Sequence, residues 1–141
     1  MDKFLKKLPH SGNMQLLDVI IAINVSYISC KTLSHCNPDN PLRSADGSLN
    51  ICHAIEYAAQ AAGTHQIYLQ QTNNKPQMGL LLSTRNVKFL TKRLDSNPQE
   101  LLINATCLSN NSTIALYGFK IMQSNTLLAS GQLSIMTKEP V

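Results

Sequence analysis

The chain has 141 residues, of which 43% are hydrophobic and 14% are charged, and its formal net charge is +4. This composition excludes a disordered chain and predicts one globular domain over residues 1–141, and the mild charge without a Lys/Arg-rich block argues against nucleic-acid binding. The apolar runs are too short for a membrane span, and the N-terminus lacks the apolar segment of a signal peptide, so we expect a cytoplasmic protein.

The first part of the chain favours two strands. Residues 3–8 suit a short helix or turn that Pro9 ends, and a polar loop follows. Residues 14–23 are strongly apolar, and residues 25–33 are rich in β-branched side chains. Asn24 is the expected bend between the two strands.

Residues 48–71 are predicted to form a long central helix. A loop with two prolines leads into this stretch, and five alanines lie between Ala54 and Ala62. Alanine is the best helix former, and Ser48 suits the N-cap position. Apolar residues lie nearly all round the helix, which is typical of a helix that is buried on most sides.

The second half predicts an antiparallel meander. The strand candidates, separated by polar turns, are residues 79–90, 99–108, 113–122 and 127–136. A tight turn is expected at Asn110-Asn111, because asparagine tolerates positive φ, and another at Ser124-Asn125. Strands, one long helix and then a meander indicate an α+β fold in which one sheet packs round one helix.

Glu56 is the one acidic residue of the predicted helix, and its neighbours in sequence are mostly apolar. Two interpretations are open. Either the carboxylate reaches the surface or bonds only Gln60, or it is an acid or base in an apolar pocket, where burial favours the protonated form. Helical spacing also places Cys52 and His53 beside it.

Two further groups of residues bear on function. The cysteines have no C-x-x-C spacing, so we expect reduced thiols and neither a metal site nor a cofactor; they are Cys30, Cys36, Cys52 and Cys107. Four cations cluster after the helix, where they either meet an acidic partner or are solvated charges at strand ends. These are Arg85, Lys88, Lys92 and Arg93.

Three stretches carry recognisable motifs. Residues 8–18 read L-P-H-S-G-N-M-Q-L-L-D, residues 55–61 read I-E-Y-A-A-Q-A, and residues 79–89 read G-L-L-L-S-T-R-N-V-K-F. These stretches resemble three motifs of the bacterial 3-hydroxyacyl-[acyl carrier protein] dehydratases, which have the hotdog fold. The first resembles the P-H opening of that family, and the second resembles its helix, in which x-M-A-Q follows a catalytic Glu. The third resembles the strand that comes after the helix. The similarity is greatest to the predicted dehydratases of aryl-polyene biosynthesis, and it covers nearly the whole chain.

One departure concerns the loop before the helix. Typical dehydratases have a catalytic His in a G-H-F-P loop, at the position that Leu42 occupies here, and Asn40-Pro41 stands in its place. His35 lies too far upstream to match, and His65 has no supporting context either. The aryl-polyene subgroup also lacks this signature, so the predicted fold is unaffected while the second catalytic group is open.

The resemblance implies dehydration of a 3-hydroxyacyl thioester with Glu56 as the acid or base. The second group is either His10, which lies in the matching P-H motif, or His53, one turn before Glu56. Backbone N–H groups near residues 51–53 would polarise the thioester carbonyl through the helix dipole. The expected substrate-binding residues are Asn40, Ile51, Cys52 and Gln60.

Three functions are compatible with these residues. They are a dehydratase acting on an acyl carrier protein or CoA thioester, a hotdog acyl thioesterase in which Glu56 activates water, and a non-catalytic subunit that pairs with an active hotdog partner. In the resembling enzymes the active site lies between two subunits, and sheet edges need covering, so we expect a homodimer or a hotdog heterodimer. Arg85, Lys88, Lys92 and Arg93 would dock the acidic carrier.

Overall fold

The computed structural model describes residues 14–70, 78–111 and 113–138, so the predicted segment 3–8 and His10 lie outside the described residues. Within these ranges, the strands of the second half agree with their predicted limits to within two residues. The elements are β1 (Val19–Ile23), β2 (Tyr27–Thr32), α1 (Ala54–Leu69), β3 (Met78–Phe89), β4 (Leu101–Asn110), β5 (Ile114–Gln123) and β6 (Thr126–Lys138).

The strands form one antiparallel sheet in the order β1-β2-β4-β5-β6-β3. The meander β4-β5-β6 occupies the middle and far side, and β3, which follows the helix, pairs with β6 at the edge. Alternate residues of the central strands are buried against α1, as Leu101, Ile103 and Ala105 of β4 illustrate. The predicted α+β architecture, one sheet wrapped round one helix, is therefore confirmed.

The helix begins later than the sequence suggested, and its cap is a different residue. A single 3-10 turn, Ile51–His53, precedes α1, and the side chain of Asn50 accepts a hydrogen bond from the N–H of Cys52 at 2.8 Å. Ser48 instead donates its N–H and hydroxyl to the carboxylate of Asp46 in the preceding turn. The prediction of Ser48 as N-cap is wrong because this turn delays the first helical residue.

Residues 14–18 are not part of a strand, although they are apolar. Gln60 of α1 bonds the N–H of Leu16 at 2.9 Å and the carbonyl of Met14 at 2.6 Å. Thr32 and Ser34 donate their hydroxyls to the carbonyl of Leu16. Side chains thus occupy the backbone groups that a sheet ladder would use, and β1 starts only at Val19.

The two predicted hairpin turns differ in mechanism. Ser124 and Asn125 have φ of 49° and 65°, as a tight turn between β5 and β6 requires. Asn110 and Asn111 have no positive φ. The side-chain oxygen of Asn111 accepts from the N–H groups of Thr113 and Ile114 instead, so an Asx-type turn replaces the expected positive-φ turn.

Candidate active site

The sheet leaves one stripe of α1 open, and Glu56 lies on it. Cys52 and Glu56 are exposed, and Ala59 and Gly63 are partly exposed, at the spacing that places residues on one helix face. Successive helix positions are about 100° apart, so Tyr57 packs against the sheet while Glu56 faces away. Of the two interpretations left open by the sequence, the single chain favours the one in which the carboxylate reaches the surface.

The N–H groups at the start of the helix are already hydrogen-bonded. The N–H of Ile51 donates to the carbonyl of Lys92 at 3.0 Å, and that of His53 donates to the carbonyl of Asn50 at 3.1 Å. The N–H of Cys52 donates to the Asn50 side chain. The expectation that these three donors polarise a thioester carbonyl is therefore not supported, because each donor has an acceptor within the chain. Glu56 itself lies in the first turn of α1, where the helix dipole favours a carboxylate.

The second catalytic group, for which His10 and His53 are the candidates, remains a prediction. His53 is half-buried one turn before Glu56, and within the described part of the chain no hydrogen bond joins the two side chains. His10 lies outside the described residues. The side chain of Ile51 is buried in the core, whereas the Cys52 thiol is exposed on the same stripe as Glu56.

Asn40 is held within the loop that takes the place of the histidine loop. Its amide NH₂ donates to the carbonyl of Ser34 at 2.9 Å and to the hydroxyl of Tyr57 at 3.2 Å, and its oxygen accepts from the N–H of Leu42. Burial raises the pKa of the Tyr57 hydroxyl, which therefore stays neutral. With both ends of its amide engaged, Asn40 fastens the loop to α1, and a substrate contact through this amide would break an internal hydrogen bond.

Gln60 is fastened in the same way, one turn after Glu56. Its amide is buried and bonds both Met14 and Leu16, as described above. Its oxygen and its nitrogen are both engaged, so the predicted role of Gln60 in substrate binding would likewise require breaking an internal bond. The geometry instead indicates that Gln60 positions the start of the described chain against the helix.

The four predicted carrier-docking cations lie on two different elements. Arg85 and Lys88 are exposed on β3, whereas Lys92 and Arg93 lie in the loop that follows. Arg93 donates two hydrogen bonds of 2.8 Å to the carboxylate of Asp95. These bonds, with a further one from Arg43, hold the pKa of Asp95 well below its usual range.

Sequence reasoning missed a buried polar chain between α1 and the sheet. The Nε2 of His65 lies 2.7 Å from the carbonyl of Asn24, so it carries the hydrogen and donates. The Nδ1 is then an acceptor, and the hydroxyl of Tyr117 donates to it at 2.6 Å. Gln66 donates in turn to that hydroxyl at 2.8 Å. A neutral imidazole satisfies this chain of hydrogen bonds, and burial lowers the pKa of His65. The sequence offers no signal for the chain because the partners of His65 are 41 and 52 residues away.

Two other kinds of site were tested on the described residues. No group of three or more His, Cys, Asp or Glu side chains in the described ranges is arranged to hold a metal ion. In the same ranges, no helix combines the length and the apolar character that crossing a membrane requires.

A curved antiparallel sheet wrapped round one helix, with a single carboxylate on the helix's open stripe, defines a protein of the hotdog class. The model of the ApeP-like family, described as ApeP dehydratase, matches residues 3–140. The chain therefore belongs to the ApeP-like dehydratase family, and the predicted resemblance to the hotdog dehydratases of aryl-polyene type is confirmed.

Solved structures agree with this fold. The dehydratase heterocomplex ApeI:P from Xenorhabdus doucetiae matches with a TM-score of 0.84 and 24% identity, covering 96% of this chain and 91% of that chain. A hypothetical thioesterase with coenzyme A from Streptococcus pneumoniae matches with a TM-score of 0.63 and 14% identity, covering 86% and 85%. Thioesterase superfamily member 2 from Mus musculus matches with a TM-score of 0.59 and 12% identity, covering 84% and 80%. A comparison with curated protein sequences found no match.

Proposed function

We propose that this chain dehydrates a 3-hydroxyacyl thioester and that Glu56 is its acid or base. The supporting observation is that the one carboxylate of α1 occupies the open stripe of an otherwise buried helix, at the position of the family's catalytic Glu. In the reaction a base removes the α-proton, the bond from the β-carbon to the hydroxyl breaks, and the hydroxyl leaves with a proton as water. A double bond forms between the α- and β-carbons.

The second group is His10 or His53. His10 lies outside the described residues, and its support is the P-H motif of residues 9–10. His53 is on the helix itself. We favour His10 because its motif matches the family, and His53 has only helical spacing in its support.

A second hotdog subunit completes the site. β3 is an edge strand, and one side of its backbone has no neighbour among the described strands. Three successive leucines on it, Leu80, Leu81 and Leu82, are between 41% and 46% exposed. A long apolar edge strand favours pairing with another chain. The heterocomplex described above is the most similar of the three structures compared, so we propose a heterodimer with a different hotdog chain over a homodimer.

Pairing would also change the surroundings of Glu56. In the single chain its carboxylate is exposed to water. A subunit that covers the open stripe would exclude water from the reacting groups and strengthen the electrostatic interactions among them. The proposed catalysis therefore depends on the complex.

The substrate is presented on an acyl carrier protein or as a CoA thioester. A carrier with an acidic surface would meet cations of this chain. Among the four predicted docking residues, Arg85 and Lys88 are exposed on one strand, whereas Arg93 is paired with Asp95. This favours the β3 residues as the carrier contacts.

The test is turnover of a 3-hydroxyacyl carrier substrate by the chain mixed with its hotdog partner. An enoyl product supports the dehydratase, whereas a free acid would indicate the thioesterase. In the complex, Glu56→Gln keeps the shape but cannot transfer protons, so we expect turnover to fall about 10²–10⁴-fold.

The matched control is Glu100→Gln. Glu100 is exposed and forms only a 3.7 Å ion pair with Lys31, so this change should leave turnover within about twofold. Full turnover by the Glu56→Gln complex would show that the partner carries the catalysis and that this chain is a non-catalytic subunit.

A further inference from the structure

The outer face of the sheet, which is the face turned away from α1, carries two rows of polar and cationic residues. The strand register places these residues side by side across β2, β4, β5, β6 and β3. The first row is Ser29, Asn104, Lys120, Ser130 and Lys88, and the second is Tyr27, Thr106, Gly118, Gln132 and Arg85.

All residues of the two rows except Arg85 line a broad hollow. Its volume is about 900 Å³, and Gly118 lies within it without a side chain to fill the space. The side chain of Leu108 passes close by, 3.6 Å from where a Cβ on Gly118 would stand. Gln132 also borders a second hollow of about 300 Å³ whose wall includes Arg85. Gln132 is the residue that the two hollows share.

The charge of this surface has one sign. Lys88 and Lys120 both neighbour Ser130, on opposite sides, so their backbones are two strand spacings, or about 10 Å, apart. Arg85 lies on β3, as Lys88 does, and belongs to the second row. No Asp or Glu occurs in the sequences of β3, β4, β5 or β6, so these cations have no acidic neighbour on their own strands.

The charge argues against a second copy of this chain as the occupant. Stacking the outer face on itself would bring the lysines of one copy against those of the other, and like charges at an interface are unfavourable. The walls of the two hollows also carry large apolar groups, which are Tyr27, Leu108, Phe119, Ile114, Leu116 and Leu133. An acidic surface that also carries apolar groups is complementary to this face.

We infer that the outer face docks the acidic carrier protein that presents the substrate, with Lys88, Lys120 and Arg85 as its cationic contacts. This inference rests on the proposed function. It adds Lys120, which is 32 residues from Lys88 in sequence, and it removes Arg93, whose guanidinium is bound to Asp95. Arg85 and Lys88 lie on the same strand as the edge leucines, so a carrier docked here lies beside the proposed subunit boundary.

The test is direct binding of an acyl carrier protein, in its apo form so that no reaction intervenes, to the chain in complex with its hotdog partner. Calorimetry at low and at high ionic strength should show weaker binding at high salt, because exposed charge pairs are screened. We expect Lys120→Glu to weaken binding about fivefold or more, and Lys120→Arg, which keeps the charge, to retain it.

The control is Ser96→Glu, which adds a negative charge at an exposed residue of the loop between β3 and β4. It should change the affinity less than twofold, and thermal unfolding of each variant confirms that the chain is folded. The inference is overturned if the wild-type complex does not bind the carrier, if salt has no effect, or if Ser96→Glu weakens binding as much as Lys120→Glu. Carrier binding that depends on Lys120 in a complex without dehydratase turnover would refute the proposed reaction and leave the docking surface standing.

Discussion

The polar side chains of α1 divide into several that fasten the fold and one that faces out. Gln60, His65 and Gln66 are buried, and each bonds a residue far away in sequence. Their partners lie on the N-terminal segment and on β5, so these side chains tie the helix to both sides of the sheet. Among the described residues, Glu56 forms no such hydrogen bond, and its proposed role is catalytic.

The buried histidines make stability depend on pH. Burial lowers the pKa values of both His65 and His35 in the folded chain, so the unfolded chain binds more protons below pH ~6.5. The stabilisation is therefore full above that pH and is lost as the pH falls below it, by up to about 1.4 kcal/mol per pH unit for each histidine.

Denaturant unfolding at about pH 7.5 and about pH 5.5 measures this loss. His65→Gln removes one titrating group, so the difference in unfolding free energy between the two pH values should be smaller than that of the wild type. The two lowered carboxylates, Asp46 and Asp95, titrate at lower pH and leave this window unaffected. An unchanged pH difference in His65→Gln would show that His65 is protonated in the folded chain.

Gly131 and Gly118, on the adjacent strands β6 and β5, differ in the space that a side chain would have. Gly131 on β6 lies under a bulge of β3, where Asn86 has a φ of 55° and the backbone of Val87 crosses closely. A Cβ at Gly131 would be 2.9 Å from the Cα of Val87. Gly118 on β5 has only the flexible side chain of Leu108 nearby, at 3.6 Å. The bulge thus requires one glycine, and packing leaves the other free to vary.

We expect Gly131→Ala and Gly118→Ala to change stability in opposite directions. Gly131→Ala should lose about 1–3 kcal/mol, because backbone must move to admit the methyl group. Gly118→Ala should be neutral or gain up to about 1 kcal/mol, because glycine is entropically unfavourable within a strand. Chemical denaturation of both variants measures the difference, and equal effects would contradict the role given to the bulge.

At the scale of the whole molecule, the two edges of the sheet differ. β1 has 5 residues, whereas β3 has 12 and exposes Leu80, Leu81, Leu82 and Phe89. The exposed edge and the open stripe of α1 are both features that a second subunit would cover. The outer face, in contrast, carries the cations Lys88, Lys120 and Arg85. The proposed hotdog partner and the proposed acidic carrier would therefore use separate surfaces.

Leu82→Lys should abolish pairing with the hotdog partner while the chain stays folded. The side chain is 46% exposed in the single chain, so its replacement costs little there, but a buried, unpaired lysine at the subunit boundary is expensive. Sedimentation of the mixed proteins should show separate subunits. Leu33→Lys, at a leucine that is 47% exposed and follows β2, is the control that should still pair. A stable complex with Leu82→Lys would place the partner on another surface.

The sequence by itself determined the elements, because their signals are local. Period-two alternation and turn residues located the strands of the second half to within two residues, and the alanines located the helix. Glu56, as the one acidic residue of the helix, and the three family motifs could also be recognised from neighbouring residues alone. These are properties of short windows, and tertiary contacts overrode them only at residues 14–18, whose backbone groups are bound by side chains of α1 and of the segment after β2.

Tertiary structure decided what each candidate side chain does, because its partners are distant in sequence. The N–H of Ile51 is bound by the carbonyl of Lys92, and the amide of Gln60 bonds Met14 and Leu16, so neither was available for the role that local reasoning gave it. Lys120 joins Lys88 only because β6 pairs with both of their strands. Glu56 faces water because the sheet covers the other faces of its helix, and no local pattern specifies which faces a curved sheet will leave open.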